Sequence, residues 1–177
     1  MSTTWYFAYG SNMQIDTLCG RRGVVCHRAL AARARGWRVV FDKPPLLPIG
    51  ESFANLIPDP EAEAFGVLYE IDAAELAHID VTEGVLIGNY DRVEIAAEPL
   101  SDRQATSLTA HTLISERRNP ALRPSERYMA LLIAGAREHG LPEHYIAALE
   151  SVPARQESAR ASLLRPLLDG FMKRGTR

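Results

Sequence analysis

The chain has 177 residues, of which 46% are hydrophobic and 24% charged, and its formal net charge is -2 at pH 7. This length predicts one domain over residues 1–177 with its own core, ending in a flexible tail at residues 171–177. The composition excludes a wholly disordered chain, and the charge balance argues against a general nucleic-acid binder. No signal peptide or membrane-spanning run is visible, so we expect a cytoplasmic protein that does not bind a membrane.

The cysteines and arginines each allow more than one interpretation. Cys19 and Cys26 are too few for a disulfide scaffold and fit no zinc motif, so we interpret them as small, half-buried residues without a redox role. Arginine supplies 18 of the 20 basic residues, and six arginines fall within residues 21–38. An anionic partner could bind this cluster, although a solvated strand face is the commoner explanation.

The first part of the chain carries strand patterns. Residues 5–8 are aromatic and apolar and predict a buried strand, which ends at a Gly-Ser turn that can cap a short helix over residues 13–18. Alternating residues then predict one long strand or two short strands over residues 29–42, with a turn near Gly36.

Prolines interrupt the next segment. Five of the eleven prolines fall within residues 43–60, so we expect a loop with at most a short strand at residues 53–57. Residues 65–71 predict a strand. Asp72 begins a predicted helix that runs to about residue 81, and its spacing to Glu75 is that of a capping box.

The last third of the chain is predicted to be helical. Two more strands are expected at residues 90–97 and 105–115, followed by helices at residues 125–138, 142–153 and 158–168. Ser125 is the expected cap of the first helix, and Pro166 is expected to kink or end the third. Strands before residue 125 and helices over residues 125–170 predict an α+β fold, because a doubly wound sheet would alternate the two.

Several common chemical devices are missing from the sequence. It contains no dinucleotide-binding glycine motif, no P-loop and no H-E-x-x-H zinc motif. The five histidines show no metal-ligand spacing. We therefore expect no metal and no cofactor.

Two local patterns point to chemistry. The strand that ends at Gly10 and Ser11 presents backbone N–H groups that can bind a carboxylate, a phosphate or an oxyanion, although a plain turn with a helix cap has the same pattern. Glu83 stands where a helix ends and Gly84 lets the chain turn. A carboxylate near a helix C-terminus tends toward a raised pKa, which suits a general base, but a surface acid beside a capping glycine is the simpler alternative.

Taken together, the patterns resemble the γ-glutamylcyclotransferases and the AIG2-like group around them. The opening segment Tyr6-Phe7-Ala8-Tyr9-Gly10-Ser11-Asn12 is similar to the glutamyl-binding loop of that family. The segment Glu83-Gly84-Val85, with Gly88 and Tyr90, is similar to its catalytic glutamate segment. Pro124-Ser125 with Tyr128, Gly135-Ala136, and Gly140-Leu141-Pro142 with Tyr145 are similar to its C-terminal signature.

This resemblance implies a small, mixed, partly open β-barrel flanked by helices, with a pocket at its mouth. It implies a reaction in which the α-amine of a small γ-glutamyl compound attacks its own side-chain amide, giving 5-oxoproline and a free amine or amino acid. Glu83 is then the catalytic acid and base. The implied substrate-binding residues are Tyr6, Phe7, Ala8, Tyr9, Gly10, Ser11, Asn12, Tyr90 and Tyr128.

Other functions stay open at this point. The substrate could be a γ-glutamyl group on a larger carrier, or the fold could serve as a non-catalytic binding or regulatory domain. A serine hydrolase is disfavoured, because Ser11 lacks the G-x-S-x-G context of a nucleophile elbow. We expect the loop over residues 43–60 to shape the leaving-group site, and the arginine cluster suggests an acidic or phosphate-bearing leaving group.

Overall fold

The computed structural model describes residues 2–47, 49–100, 106–157 and 159–172. The strands found in these ranges are β1 (Thr3–Ala8), β2 (Cys26–Lys43), β3 (Phe53–Asp72), β4 (Asp91–Pro99) and β5 (Leu108–Ile114). The α-helices in the same ranges are α1 (Ala73–Glu83), α2 (Glu126–Glu138), α3 (Glu143–Glu150) and α4 (Ala159–Met172).

The strands form a closed barrel in the order β1-β3-β2-β4-β5. Neighbouring strands are antiparallel, except that β1 and β5 are parallel where Tyr6 pairs with His111. The α+β class and the mixed barrel flanked by helices are confirmed, but the barrel is closed where a partly open one was expected, because β1 pairs with β5. Fully buried side chains, among them Phe7, Val67, Leu68 and Ile71, form the hydrophobic core on the two faces of the barrel sheet.

The long β2–β3 hairpin resolves one prediction and corrects another. β2 is one continuous strand, so the single-strand alternative is confirmed. The expected loop is present between Lys43 and Phe53 in the described residues, but the expectation of at most a short strand at residues 53–57 is wrong, because β3 starts at Phe53 and continues past Pro60. The pairing jumps from Arg35–Glu63 to Trp37–Pro58, so residues 59–62 bulge out of register and a proline there need not donate to the ladder.

The predicted helix over residues 13–18 is also wrong. The chain forms a 3₁₀ turn at Ser11–Met13 and then a π-helical turn at Asp16–Arg21. The Tyr69 hydroxyl donates to the Met13 carbonyl oxygen at 2.6 Å, so a barrel side chain occupies an acceptor that a regular α-helix would need.

Two helix-end predictions also differ in detail. Asp72 precedes α1, but its side chain makes no cap hydrogen bond and instead contacts His27 Nε2 at 3.1 Å, so the capping box is wrong. The helix α4 continues through Pro166 to Met172, since a proline removes only one N–H donor from a helix. Residues 173–177 of the predicted tail lie outside the described residues.

The helix α2 holds the opening turn in place. Ser125 Oγ accepts a hydrogen bond from the Tyr128 backbone N–H at 3.3 Å, which confirms the predicted cap. A Cβ atom added to Gly135 would lie 2.7 Å from Gln14 N and 2.8 Å from Met13 C, so only glycine allows this close approach. None of the described helices is long and apolar enough to cross a membrane.

This contact gives a prediction for two helical glycines. Alanine normally stabilises a helix by about 0.5–1 kcal/mol relative to glycine. We expect that gain for Gly170→Ala, where no described atom beyond the chain neighbours and the helix backbone lies within 4 Å of the added Cβ. Gly135→Ala should instead lower the free energy of unfolding by about 1–3 kcal/mol, because the methyl group overlaps backbone atoms. Urea unfolding of both variants measures this, and stabilisation by Gly135→Ala would refute the close packing.

Candidate functional site

A cavity of about 620 Å³ lies between the opening turn, the end of α1 and the end of β2. Eight of the ten predicted site residues line it: Tyr6, Tyr9, Gly10, Ser11, Asn12, Glu83, Tyr90 and Tyr128. The other two, Phe7 and Ala8, are buried in the barrel core and are not part of this lining. The opening segment at residues 6–12, the segment at residues 83–90 and the first turn of α2 therefore meet at one cavity.

The position of Glu83 is fixed by the end of its helix. Glu83 is the last residue of α1, and Gly84 follows in the left-handed conformation with φ of 76°. The Asn89 side-chain amide donates to the Glu83 carbonyl oxygen at 2.8 Å, which satisfies one of the free carbonyl groups at the helix end. The helix thus presents the Glu83 side chain to the cavity from a defined turn.

The Glu83 carboxylate is held through one of its two oxygens. Arg22 approaches Oε1 at 2.5 Å, and the Asn12 Nδ2 group donates to the same oxygen at 3.0 Å. The Glu83 side chain is 17% exposed and that of Arg22 is 6% exposed, so this is a mostly buried ion pair. Within the described part of the chain, no hydrogen bond reaches Oε2, which leaves that oxygen available as a proton acceptor.

Arg22 connects the opening turn to the end of α1. Its Nε donates to Asn12 Oδ1 at 2.9 Å, and another guanidinium nitrogen donates to Thr82 Oγ1 at 2.9 Å. Asn12 in turn donates to the Tyr6 hydroxyl at 3.0 Å. The sequence analysis missed this role, and the only available signal was the position of Arg22 in a stretch without acids that follows the opening motif.

Tyr128 presents a hydroxyl group that is set up to donate. Its oxygen accepts the Ala54 N–H at 3.1 Å, and burial raises the pKa of the phenol while backbone hydrogen bonds from Ala54 and Ser11 oppose that rise. The Phe53 ring packs edge-on against Tyr128 with 5.0 Å between centroids. Because the oxygen already accepts backbone N–H groups, the remaining capacity of the hydroxyl is its own proton.

The other tyrosines of the site differ in what they offer. Tyr9 donates its hydroxyl to the Leu113 carbonyl oxygen at 2.5 Å, so its proton is engaged within the protein. Burial, with the nearby Glu83 charge, raises the pKa of Tyr6 well above its ordinary value. Burial likewise raises the pKa of Tyr90. These phenols therefore stay protonated at neutral pH and form uncharged, polar parts of the cavity wall.

Lys43 is a buried cation that the sequence analysis did not single out. It is 1% exposed, its Nζ donates to Asn89 Oδ1 at 2.5 Å, and it lies 4.5 Å from the centroid of the Tyr90 ring. Burial and the Arg117 guanidinium lower the pKa of Lys43 to about 8, against the opposing effect of Glu83. The clue in the sequence was a lone lysine at a strand end in a chain whose cations are almost all arginine.

Most of the arginine cluster is turned away from the cavity. Arg33 and Arg35 bind Glu98 at 3.0 Å and 3.1 Å, and Arg38 binds Asp59 at 2.5 Å. Only Arg21 and Arg22 of the six belong to the described cavity lining. The pairs on β2 support the interpretation as a strand face rather than a docking surface for an anion.

The outer part of the cavity has an aliphatic side, and Arg21, Arg127 and Glu157 also belong to the lining. The loop after β2 contributes Pro45, Leu46, Leu47 and Ile49, and the end of α1 and the turn after it contribute Val81 and Ile87. Leu46, Leu47, Val81 and Ile87 are 49%, 42%, 61% and 68% exposed, respectively. Exposed aliphatic side chains grouped around one opening are typical of a binding surface. We call these six residues the aliphatic rim.

The lining is suited to an organic ligand with charged groups at one end. Among the described residues, no three His, Cys, Asp or Glu side chains are grouped as a metal site would need. The inner part combines the Glu83 carboxylate, the Tyr128 hydroxyl and the Lys43 ammonium, and the rim is apolar. A zwitterionic head group with an apolar extension matches this distribution.

Comparisons with known proteins bear on the family and the fold of the chain. A sequence model of the AIG2-like family matches residues 63–149. A γ-glutamyl cyclotransferase from Aspergillus oryzae is 30% identical over 161 residues, which cover 81% of this chain but only 59% of the length of that relative. A γ-glutamylcyclotransferase from Bos taurus is 25% identical over 164 residues, covering 89% of this chain and 82% of that protein. A solved γ-glutamyl cyclotransferase structure shares the fold, with a TM-score of 0.75 and 21% sequence identity. The match covers 96% of this chain and 99% of the solved one.

Lys43 gives a prediction for the pH dependence of stability. Its ordinary pKa is 10.5 and its pKa in the folded protein is about 8, so between these values the unfolded chain holds a proton that the folded protein has lost. The Lys43 contribution to the free energy of unfolding should therefore rise by roughly 1–3 kcal/mol across this window. The buried tyrosines oppose it in the wild type and the variant alike, because near pH 10 the unfolded chain loses phenol protons that the folded protein keeps. Lys43→Met should lack this rise, as measured by urea unfolding at pH 7.5 and pH 10. Equal pH dependence in both proteins would contradict the shifted Lys43.

Proposed function

This chain belongs to the γ-glutamylcyclotransferase/AIG2-like family, and we propose that it cyclises a γ-glutamyl amine or amino acid to 5-oxoproline. The observation that carries the proposal is the Glu83 carboxylate, which faces the cavity with Oε1 held by Arg22 and Asn12 and with Oε2 available. An oriented carboxylate of this kind can take a proton from an ammonium group and return it elsewhere.

Glu83 acts as the base and then as the acid in this reaction. Its Oε2 removes a proton from the α-ammonium group of the substrate, and the free amine attacks the γ-carbonyl carbon. The new C–N bond closes a five-membered ring, and Glu83 passes its proton to the departing nitrogen as the amide C–N bond breaks. The carboxylate then takes the second proton from the ring nitrogen, and this proton leaves with the released amine as its ammonium form. Both reacting groups belong to one molecule, so the cavity mainly has to select the folded conformer of the substrate.

The remaining charges of the substrate need donors, and the cavity supplies them. The Tyr128 hydroxyl, whose oxygen accepts the Ala54 N–H, donates its proton to the α-carboxylate of the substrate. Lys43 lies in the same lining and adds positive charge below pH 8. We assign the binding of the oxyanion to backbone N–H groups of the opening turn. In such sites the loss of one donor typically costs about 3 kcal/mol of transition-state stabilisation.

Two alternative functions have less support. A serine hydrolase needs a base beside its nucleophile, yet no described histidine makes a hydrogen bond to Ser11, and the carboxylate of the site is held by Arg22. A purely binding module does not need an acid with one oxygen left free in its pocket. A γ-glutamyl group on a larger carrier would react with the same site residues. It would differ only in the carrier, which would lie outside the cavity.

The central prediction concerns Glu83→Gln. Glutamine keeps the shape of the side chain but cannot accept the proton, so 5-oxoproline formation should fall by at least about 10²–10⁴-fold. The measurement is 5-oxoproline release from a panel of γ-glutamyl amines and amino acids, with thermal melting to verify the fold. Asp80→Asn is the matched control, because Asp80 lies on the same helix and also pairs with an arginine, Arg92, but is outside the described cavity lining.

The two variants separate the possible failures. Full activity in Glu83→Gln would show that Glu83 is not the acid and base of the reaction. Equal losses in both variants would indicate damage to α1 rather than loss of the base. Release by the wild type only from γ-glutamyl groups on a peptide or protein would assign the reaction to a carrier-linked substrate.

We further propose that the leaving group is an apolar amine or an amino acid with an apolar side chain. The aliphatic rim surrounds the exit from the inner cavity, so the part of the substrate beyond the scissile amide contacts it. Three of the arginines expected to favour an acidic leaving group lie on β2 and are paired with acids there. Arg22, which lines the cavity, is held by Glu83 and Asn12. Burial of each additional methylene group is worth about 0.8 kcal/mol.

A homologous series of γ-glutamyl n-alkylamides tests this preference. We expect kcat/KM to rise about fourfold per methylene until the rim is covered, and an anionic leaving group such as aspartate to be a poor one. Ile87→Ser should flatten the trend, whereas Leu86→Ser is the matched control because Leu86 is 81% exposed and lies outside the described lining. A kcat/KM that does not change with chain length would refute the role of the rim.

A further inference from the structure

Cys19 and Cys26 lie side by side beneath the candidate site. Their sulfur atoms are 2.9 Å apart, both side chains are half-buried, and both thiols are free. Cys19 belongs to the π-helical turn and Cys26 is the first residue of β2. They are the only two cysteines of the sequence, and they are half-buried as expected, whereas the sequence gives no sign of the direct contact between them.

We propose that Cys19 and Cys26 are a modification site that forms a reversible disulfide with each other, using a low-molecular-weight disulfide as the oxidant. A disulfide bond is about 2.05 Å long, so the two sulfur atoms have to approach by less than about 1 Å. The intervening segment contains Gly20 and Gly23, whose backbones adapt more readily than those of other residues. The pair therefore needs no rearrangement of the barrel to close.

The exchange proceeds in two balanced steps. The Cys19 thiolate attacks one sulfur of the small disulfide, and one small thiolate leaves. Cys26 then loses its proton and attacks the Cys19 sulfur, which releases the second small thiolate and closes the protein disulfide. Burial raises the pKa of Cys26, so Cys26 suits the second, intramolecular step, where proximity compensates for a low thiolate fraction. Two thiols are oxidised and one small disulfide is reduced.

The closed loop would contain Arg22, which links the opening turn to Glu83. Because the sulfur atoms already lie close together, closure leaves the contacts of Arg22 with Asn12 and Glu83 in place. A crosslink restricts the unfolded chain, so it should stabilise this segment without displacing the carboxylate. The disulfide would thus crosslink the two ends of the loop that carries Arg22. We expect oxidation to preserve activity.

The experiment is oxidation of the folded, full-length protein with oxidised glutathione, followed by intact mass and thiol titration. We expect the mass to fall by two hydrogen atoms, the titratable thiols to fall from two to none, and Tm to rise by roughly 5 °C, reversibly with dithiothreitol. Cys26→Ser is the control, and it should retain a stable glutathione adduct at Cys19 and show no rise in Tm.

Three outcomes would overturn the proposal. These are two glutathione adducts per chain, two thiols that remain titratable in the folded protein, or a wild-type disulfide that leaves Tm at the value of Cys26→Ser. None of these readouts depends on 5-oxoproline formation, so the disulfide can fail while the proposed reaction stands, and the reverse also holds.

Discussion

The contact between Arg22 and Glu83 is the interaction on which the rest of the site depends. It is a mostly buried ion pair at 2.5 Å, and removing either partner would leave an uncompensated charge. The planar guanidinium reaches Asn12, Thr82 and Glu83 at once, which a lysine could not do. The opening turn and the end of α1 are therefore positioned by one side chain, and the free oxygen of Glu83 is a consequence of that arrangement.

The barrel and the helices supply the rigid surroundings that this interaction needs. The strand β1 delivers the opening turn, and α2 packs against it through Gly135, where no side chain would fit. The same helix carries Tyr128 in its first turn and directs its hydroxyl at the backbone of Ala54. Charged and polar groups are thus concentrated deep in the cavity, while the loop after β2 gives the opening its apolar character.

Local signals in the sequence were sufficient for some features and insufficient for others. The opening motif, Glu83 before a glycine, and the Ser125 cap depend on neighbouring residues, and all three were predictable. Arg22 and Lys43 acquire their roles from partners 61 and 46 positions away, which no local pattern encodes. The helix predicted at residues 13–18 failed for the same reason, since Tyr69 reaches across the chain to take the Met13 carbonyl.

The most direct test of the account is a crystal structure of Glu83→Gln with an uncleaved γ-glutamyl alkylamide. The account predicts that the α-amino nitrogen lies within about 3.2 Å of the side chain of residue 83, the reach of a general base. It also predicts that the carboxylate of the substrate contacts Tyr128 and that the alkyl group lies against the aliphatic rim. A substrate bound outside the cavity, or one whose amine points away from residue 83, would contradict the proposed reaction.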